Sequence, residues 1–368
     1  MVERFYNLDP RKIKIVNLIP IGRSSSIFLQ GLLDWHPEII TILGNFYPEK
    51  SDLQSRRFEV IAKKIYGKIN AMTKHYNTTY DLGRNFPEGK FAGYLKEYTD
   101  VFGMSIGSLF IGAHYAYARH YKRDISKIKY ILAHAHGATL FHQIVKDFPK
   151  QKLIFTIRDP RANYLSYKKI GILVHGTLYQ YENYLLYRKL KKIGYPIIII
   201  RHEDMHTKYE EVKKGLIEFL GIKKSKSLDS CSFFNLAYDG SESKISSSQN
   251  LSDTRPNKKF VNEKWKSDLS TSELNLIQFI FRKMMEEFKY RKYYSGGEIV
   301  IKFLNTDVRS LSRSNLESKK GIKKFLLTFA RFIYQIPILG IILIDISLLL
   351  YYFFMIILAI LKVIVKKV

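Results

Sequence analysis

The 368-residue sequence has little cysteine and few acidic residues. Its single cysteine, Cys231, excludes both an intramolecular disulfide framework and a zinc site of the CxxC type. A chain without disulfides is typical of a reducing compartment, so we expect a cytoplasmic protein. Asp and Glu number 33 against 60 Lys and Arg, which gives a formal net charge of +27. This excess favours an anionic partner such as nucleic acid, anionic lipid, a polyanionic glycan or a multiply phosphorylated cofactor.

The sequence also lacks an apolar N-terminal segment and an internal repeat. The first apolar run begins only at Ile13, is short and leads into a loop, so we expect neither a signal peptide nor an N-terminal anchor. Hydrophobic residues make up 46% and aromatic residues 14% of the chain, which excludes a mostly disordered protein. The length fits one large domain or two ordinary ones.

Four apolar runs rich in Val and Ile predict strands that are buried on both faces, as in a parallel sheet. They are Ile13–Ile21, Tyr130–Leu132 with its continuation, Leu153–Ile157 and Pro196–Ile200. Helical patterns follow or separate these strands, over Ile27–Leu33, Thr139–Asp147, Tyr184–Lys191 and Val212–Leu220. The alternation predicts an α/β fold with a central parallel sheet flanked by helices. The Ser-, Asn- and Asp-rich stretch Lys223–Lys259 predicts a long loop.

The first strand leads through Gly-Arg-Ser-Ser-Ser, residues 22–26, into a helix. Such a turn can present backbone N–H groups, one guanidinium and three hydroxyls to an anion at the helix N-terminus. It differs from the nucleotide P-loop GxxxxGK(S/T), because the second Gly and the Lys are missing. A serine N-cap with an ordinary helix behind it is the alternative interpretation.

A second candidate anion site follows the strand over Leu153–Ile157. Arg158 stands at the strand end, and Ser166 lies eight residues later, about two turns into the next helix. A guanidinium fork and a hydroxyl at this spacing can hold one phosphate. The alternative is a surface Asp–Arg pair within residues 158–161 that caps the helix.

Two histidines follow the second strand. If residues 129–137 are extended, His134 and His136 share one strand face with Leu132. The end of a parallel strand faces the crevice in which α/β sheets bind ligands. Histidine suits a general base near neutral pH, because its unperturbed pKa is about 6.5. A metal pair and a structural pair compete with this hypothesis, but we find no third ligand at a helpful spacing and predict no metal.

Together the motifs resemble those of sulfotransferases, which use 3′-phosphoadenosine 5′-phosphosulfate (PAPS) as donor. The first loop is similar to their phosphosulfate-binding loop, although Gly22 stands where Pro is common, Ser25 replaces Gly, and Ile27 replaces a hydroxyl-bearing Thr. The matching residues are Arg23, Ser24, Leu29, Gln30, Leu32, Leu33, Asp34, His36, Pro37 and Glu38. The resemblance implies a P-loop-like turn in which the donor is bound by Arg23, Ser24, Ser25 and Ser26.

The resemblance extends, motif by motif, over about residues 10–290. Arg158 and Ser166 match the family's pair that contacts the 3′-phosphate. His202 stands where the family has a Tyr that contacts adenine. Lys258 and Lys259 resemble the late basic segment that closes over the 3′-phosphate, without the family's Gly. The resemblance therefore implies that all five residues bind the donor.

The resemblance also implies catalytic roles. Cytosolic sulfotransferases carry a catalytic His about 22 residues before the 3′-phosphate Arg, and His136 precedes Arg158 by 22 residues. His134 is the near alternative base and Glu49 a reserve. Arg23 would stabilise the transferring sulfonate. The implied reaction is metal-free sulfuryl transfer from PAPS to a hydroxyl, or as second choice an amine, of a carbohydrate, lipid or other small acceptor.

Two other function classes stay open. A membrane-associated nucleotide-dependent kinase or transferase would need a metal-binding acid near the first loop, and Asp34 lies on the following helix instead. A non-catalytic basic protein could bind anionic lipid or glycan through charge alone. No motif beyond charge indicates nucleic-acid binding, so we expect no nucleic-acid partner.

The C-terminal segment is apolar between basic flanks. From Ile336 to Leu361 the only charged residue is Asp345. This pattern predicts membrane insertion or a shallow hairpin, with a buried helix pair or a partner-binding surface as alternatives. Basic residues that suit anionic lipid headgroups are Lys319, Lys320, Lys323, Lys324, Arg331, Lys362, Lys366 and Lys367. We therefore predict a catalytic domain over 1–318 and a basic, hydrophobic helical tail over 319–368 that associates with membrane lipids at the cytoplasmic face.

Overall fold

The structure is a computed structural model of the chain, and it describes residues 2–55, 57–76, 81–234, 236–237 and 254–293. The chain divides into two compact units, 1–264 and 265–368. The predicted tail over 319–368 lies outside the described residues. No helix within the part of the chain that the structure describes combines the length and apolarity that a membrane span needs.

The first unit is built on a parallel sheet. Its strands are β1 (Lys14–Ile21), β2 (Ile39–Ile40), β3 (Tyr130–His134), β4 (Gln151–Ile157) and β5 (Ile197–Arg201). They lie in the order β2-β3-β1-β4-β5, and every neighbouring pair is parallel. All residues of β1 after Lys14 are buried, as its continuous apolar run predicts. The predicted α/β class and central parallel sheet are confirmed.

Helices flank this sheet. They are α1 (Ser26–Leu33), α2 (Phe58–Tyr76), α3 (Leu82–Asn85), α4 (Glu88–Phe102), α5 (Ile106–His120), α6 (Gly137–Asp147), α7 (Pro160–Lys169), α8 (Leu173–Lys192), α9 (His202–Thr207) and α10 (Tyr209–Leu220). The helical pattern over Tyr184–Lys191 is the second half of α8. Helices α2 to α5 lie between β2 and β3, where the sequence analysis placed no element.

The stretch predicted as one long loop contains short regular elements near both of its ends. A 3-10 helix over Lys226–Asp229 precedes an antiparallel pair, β6 (Ser232–Phe233) and β7 (Leu236–Ala237). A second 3-10 helix covers Lys258–Phe260. Residues 238–253 lie outside the described residues.

The strand ends are in register on one side of the sheet. Ile21 of β1 pairs with Ile157 of β4, which pairs with Arg201 of β5. On the other side of β1, Leu18 pairs with His134, so β3 ends three residues earlier than β1. The segments that follow β1, β3, β4 and β5 therefore leave the sheet at its carboxyl edge, where sheets of this kind bind ligands.

The described part of the second unit, residues 265–293, is helical. Its helices are α11 (Trp265–Asp268), α12 (Thr271–Ile280) and α13 (Arg282–Glu287). Ser270 and Glu273 form a reciprocal capping box at the start of α12, which satisfies two backbone N–H groups of the helix end.

Candidate active site

The loop after β1 turns at two residues with positive φ, Gly22 at +84° and Ser25 at +59°. A Cβ on Gly22 would lie 2.4 Å from Nδ2 of Asn163 and 2.9 Å from the hydroxyl of Tyr167. Only glycine fits this position, which gives a physical reason for the departure from the proline of the resembled family. Ser26 follows this turn as the first residue of α1. The backbone N–H groups at this end of the helix have no partner within the helix.

The Ser24 hydroxyl is directed into the sheet. Its Oγ lies 3.0 Å from the carbonyl oxygen and 2.7 Å from Oγ1 of Thr156 on β4, and 3.2 Å from the carbonyl oxygen of Gly22. Ser24 is 1% exposed. Its hydroxyl thus ties the loop to β4, while its role toward a donor stays a prediction.

The next two serines each meet an imidazole at the end of a different strand. Oγ of Ser25 lies 2.7 Å from Nδ1 of His202, directly after β5. Oγ of Ser26 lies 3.0 Å from Nε2 of His134, the last residue of β3. Three consecutive hydroxyls therefore connect the loop to β4, to the last residue of β3 and to the residue that directly follows β5.

Arg23 and Arg158 follow the neighbouring strands β1 and β4, and both act electrostatically on the hydroxyl of Tyr167. Burial raises the pKa of the Tyr167 hydroxyl, and the backbone N–H of Arg23 together with the charges of Arg23 and Arg158 opposes that shift. Burial, and after it the charge of Arg158, lowers the pKa of His202 to about 3 and that of His206 to about 4. Arg23 and Arg158 thus place positive charge at the carboxyl edge of the sheet. The imidazoles of His202 and His206 beside them are neutral at pH 7.

The segment after β4 also contains the capping pair that the sequence offered as an alternative. The carboxylate of Asp159 accepts hydrogen bonds from the backbone N–H and the Nε of Arg161, both at 2.9 Å. Both residues are buried, so the pair is not a surface pair. It fixes the start of α7. Ser166, which is half-buried, lies on this helix eight residues after Arg158.

The two histidines after β3 do not share a strand face, contrary to the expectation. The strand ends at His134, and Ala135 donates one further hydrogen bond to the carbonyl of Leu18, at 2.9 Å. His136 then precedes α6, because Gly137, with φ at +83°, turns the chain into that helix. The two imidazole rings still meet edge to face, with centroids 4.4 Å apart.

Their surroundings differ. His134 is 1% exposed, and burial holds its pKa well below the ordinary value, so the ring is neutral at pH 7. His136 is exposed, and its ring centroid lies 6.2 Å from that of Tyr179 on α8. Of the two histidines predicted as the general base, only His136 can be reached from solvent by an acceptor substrate. Both assignments stay predictions.

His202 links two parts of the chain. Its Nε2 donates to the carbonyl oxygen of Phe260 at 3.1 Å, within the short helix that carries Lys258 and Lys259. Both lysines are exposed. The donor contacts of His202 and of the two lysines remain predictions, and the hydrogen bond from His202 to Phe260 connects the two segments that contain them.

Glu49, the reserve base, and Asp34, the acid weighed for the kinase alternative, both have structural partners. Glu49 forms a capping box at the start of the 3-10 helix Lys50–Gln54, and an oxygen of its carboxylate lies 3.6 Å from Nζ of Lys68. Asp34 accepts a hydrogen bond from Ser232 at 2.9 Å and lies beyond the last turn of α1, about 12 Å along the helix from the loop. Among the described residues, no group of three or more His, Cys, Asp or Glu side chains could hold a metal.

Sequence reasoning missed three side chains at this edge. Tyr167 directly follows Ser166, and Asn163 precedes it by one helical turn, so both face the loop from α7. Nδ2 of Asn163 donates to the carbonyl of Ile21 at 3.4 Å. His206, one turn after His202, accepts from a backbone N–H at 3.3 Å. Helical spacing from the predicted residues was the available signal.

No protein-family model matches the chain, and no curated protein sequence matches it. Solved structures do. The sulfotransferase domain of the Synechococcus olefin synthase is 16% identical with a TM-score of 0.42, covering 76% of this chain and 96% of that chain. The sulfotransferase domain from the curacin biosynthetic pathway is 15% identical with a TM-score of 0.43, covering 76% and 99%. Sulfotransferase STF9 from Mycobacterium avium is 13% identical with a TM-score of 0.42, covering 79% and 81%.

The chain is thus similar to solved sulfotransferase domains. At these identities and TM-scores the likeness assigns no activity to this chain and no role to any of its residues.

Proposed function

We propose that the chain is a PAPS-dependent sulfotransferase that acts on a hydroxyl, or as second choice an amine, of a carbohydrate, lipid or other small acceptor. The observation that carries the proposal is that Arg23 and Arg158 follow the ends of two adjacent parallel strands, whose last residues Ile21 and Ile157 are paired. Two cations at neighbouring strand ends suit a ligand with several anionic groups. The motif resemblance supplies the identity of the donor.

The residues at the carboxyl edge fit such a donor. The loop over 22–26 and Arg23 would hold the phosphosulfate at the start of α1, and Arg158 with Ser166 would hold the 3′-phosphate. Two buried polar atoms beside the loop, the Tyr167 hydroxyl and Nδ1 of His134, make no well-aligned hydrogen bond among the described residues. Unsatisfied buried polar atoms are uncommon in folded proteins, and a ligand bound beside them is one way in which they are satisfied.

The bound donor would supply the sulfuryl group, whose bond to the phosphate oxygen breaks as a bond to the acceptor oxygen forms. His136 would take the acceptor's proton on an imidazole nitrogen, since it is exposed at the rim of the site. Arg23 would stabilise the negative charge that develops near the loop. Lys258 and Lys259 would add positive charge from the segment that His202 holds.

Calorimetry with adenosine 3′,5′-bisphosphate tests donor binding. Arg158→Ala should weaken binding tenfold to hundredfold, since a charged hydrogen bond contributes about 1.5–3 kcal/mol. Arg158→Lys should recover only part of this loss, because it restores the charge without the fork. Lys189→Ala, which removes an exposed charge at the end of α8, is the matched control. Equal affinity of the wild type and Arg158→Ala would refute the donor assignment.

Mass spectrometry of cell extracts with and without the protein tests the reaction. We expect products that differ from their precursors by the mass of one sulfate, and their loss in His136→Ala. Phosphorylated products that depend on ATP would instead establish the kinase alternative. A protein whose effects depend on overall charge and are insensitive to His136→Ala would be the non-catalytic binder.

We also propose the domain division, the membrane association and the cytoplasmic location on the sequence alone. The support is the apolar segment 336–361 between clusters of lysine. Leu349→Asp together with Ile356→Asp should move the protein from the membrane fraction to the supernatant and leave affinity for adenosine 3′,5′-bisphosphate unchanged. An unchanged membrane fraction would contradict this proposal.

A further inference from the structure

A buried imidazole contacts the first residue of α1. Nε2 of His134 lies 3.0 Å from Oγ of Ser26, and the two residues are 1% and 7% exposed. They are 108 positions apart, and the parallel pairing of β3 with β1 brings them together. Nδ1 of His134 is buried and has no hydrogen-bond partner among the described residues.

This contact can exist in two forms, because a neutral imidazole carries one proton. With the proton on Nδ1, a buried N–H has no acceptor, and Nε2 accepts from Ser26. With the proton on Nε2, the ring donates to Oγ of Ser26, and only a lone pair is left unsatisfied at Nδ1. Buried N–H groups without an acceptor are rarer than under-satisfied acceptors, so the second form is favoured.

The hydroxyl protons of the other two loop serines, Ser24 and Ser25, already have acceptors within the protein. Ser24 donates to a carbonyl oxygen. The carbonyl of Phe260 can only accept, so Nε2 of His202 carries that ring's proton and Nδ1 accepts the proton of Ser25. Ile27, the next residue, has no hydroxyl. Ser26 is therefore the loop residue whose hydroxyl proton depends on the state of a partner.

We propose that His134 donates its Nε2 proton to the Ser26 hydroxyl and so directs the Ser26 proton toward a phosphate oxygen of the donor. The opposite orientation would present oxygen lone pairs to an anion. His134 acts through Ser26 and does not touch the donor, so it is a positioning residue. This inference rests on the proposed function and gives the buried histidine a role other than that of the base.

A double-mutant cycle on the full-length chain tests the inference, with adenosine 3′,5′-bisphosphate as the calorimetric probe. His134→Phe and Ser26→Ala should each weaken binding about tenfold, since each removes one oriented hydrogen bond. The double variant should bind no more weakly than Ser26→Ala alone, because His134 has no effect without the hydroxyl. His134→Gln should recover most of the affinity, because its amide N–H can donate to Ser26.

The outcomes separate the inference from the proposed function. If the wild type does not bind the probe, the proposed function fails. If the wild type binds, Arg158→Ala weakens binding and His134→Phe does not, the inference alone fails. Additive losses in the cycle would likewise overturn it, since they would show that His134 acts independently of Ser26.

A direct measurement covers the case in which a variant does not fold. The nitrogen chemical shifts of a histidine-labelled wild-type protein report which ring nitrogen of His134 carries the proton. A proton on Nε2 is expected with and without the probe. A proton on Nδ1 in the complex would overturn the inference.

Discussion

The hydroxyl of Ser25 lies 2.7 Å from Nδ1 of His202, whose Nε2 lies 3.1 Å from the carbonyl oxygen of Phe260. One neutral imidazole therefore connects the loop after β1 to the short helix that carries Lys258 and Lys259. A second imidazole, that of His206, packs against the ring of Phe260 with centroids 5.0 Å apart. The basic segment is held to α9 at two points, both of which are buried histidines.

Loss of this connection should loosen the basic segment. His202→Phe removes both hydrogen bonds, so we expect faster cleavage by trypsin after Lys258 and Lys259, measured by mass spectrometry of the fragments. His75→Gln changes an exposed histidine in the last turn of α2 and serves as control. If cleavage at these two lysines keeps its rate in His202→Phe, the imidazole does not hold the segment.

The Tyr167 hydroxyl should be dispensable for stability. It is buried and makes no well-aligned hydrogen bond among the described residues, so Tyr167→Phe removes a desolvated polar group and should leave the melting temperature unchanged or raise it. Gly176→Ala should do the opposite, because a Cβ there would lie 2.4 Å from the Tyr167 ring.

Thermal melts of the two variants check this pair of expectations. We expect Gly176→Ala to lose about 1–3 kcal/mol, the usual range for overpacking a core. Gly93→Ala, at a helical glycine on α4 with open space around it, is the matched control. A large loss of stability in Tyr167→Phe would show that the hydroxyl has a partner in solution.

Strand positions were predictable because the parallel sheet is buried on both faces. Runs such as Leu153–Ile157 have no polar interruption, and the structure extends that strand by only two residues at its start. Helices α2 to α5 were not predicted, although the 3.6-residue pattern is present, because no apolar strand-type run lies between them to mark where one helix ends and the next begins. The alternation of Leu132, His134 and His136 predicted a strand that continues past His134. In the structure the strand ends at His134, because Gly137, with its positive φ, turns the chain into the next helix.

At the site, the sequence predicted which segments meet but not which way their groups face. The residues after β1, β4 and β5 had to come together once the sheet was parallel. The inward direction of the Ser24 hydroxyl depends on Thr156, 132 residues away, and that of Tyr167 depends on Gly22 and Gly176. Such contacts arise from tertiary packing between segments far apart in the chain, and the local spacing of residues does not predict them.

Acid should destabilise the protein through histidines that are buried while neutral. His114 on α5 is 1% exposed, its Nδ1 donates to the carbonyl of Phe110 at 2.8 Å, and burial lowers its pKa to about 4. In the unfolded chain the same group titrates near 6.5. Between these values the unfolded state binds more protons, so the free energy of unfolding falls as pH drops from about 6.5 to 4.

Urea denaturation at pH 7 and pH 4.5 measures this loss. His114→Gln removes the titrating group and keeps an amide that can donate to the same carbonyl, so its stability should fall less than that of the wild type. The difference should be on the order of 2–3 kcal/mol, since one pKa unit corresponds to about 1.4 kcal/mol. A residual fall is expected because His202 and His206 shift in the same direction. Equal losses in the wild type and His114→Gln would show that His114 takes up its proton without cost in the folded protein.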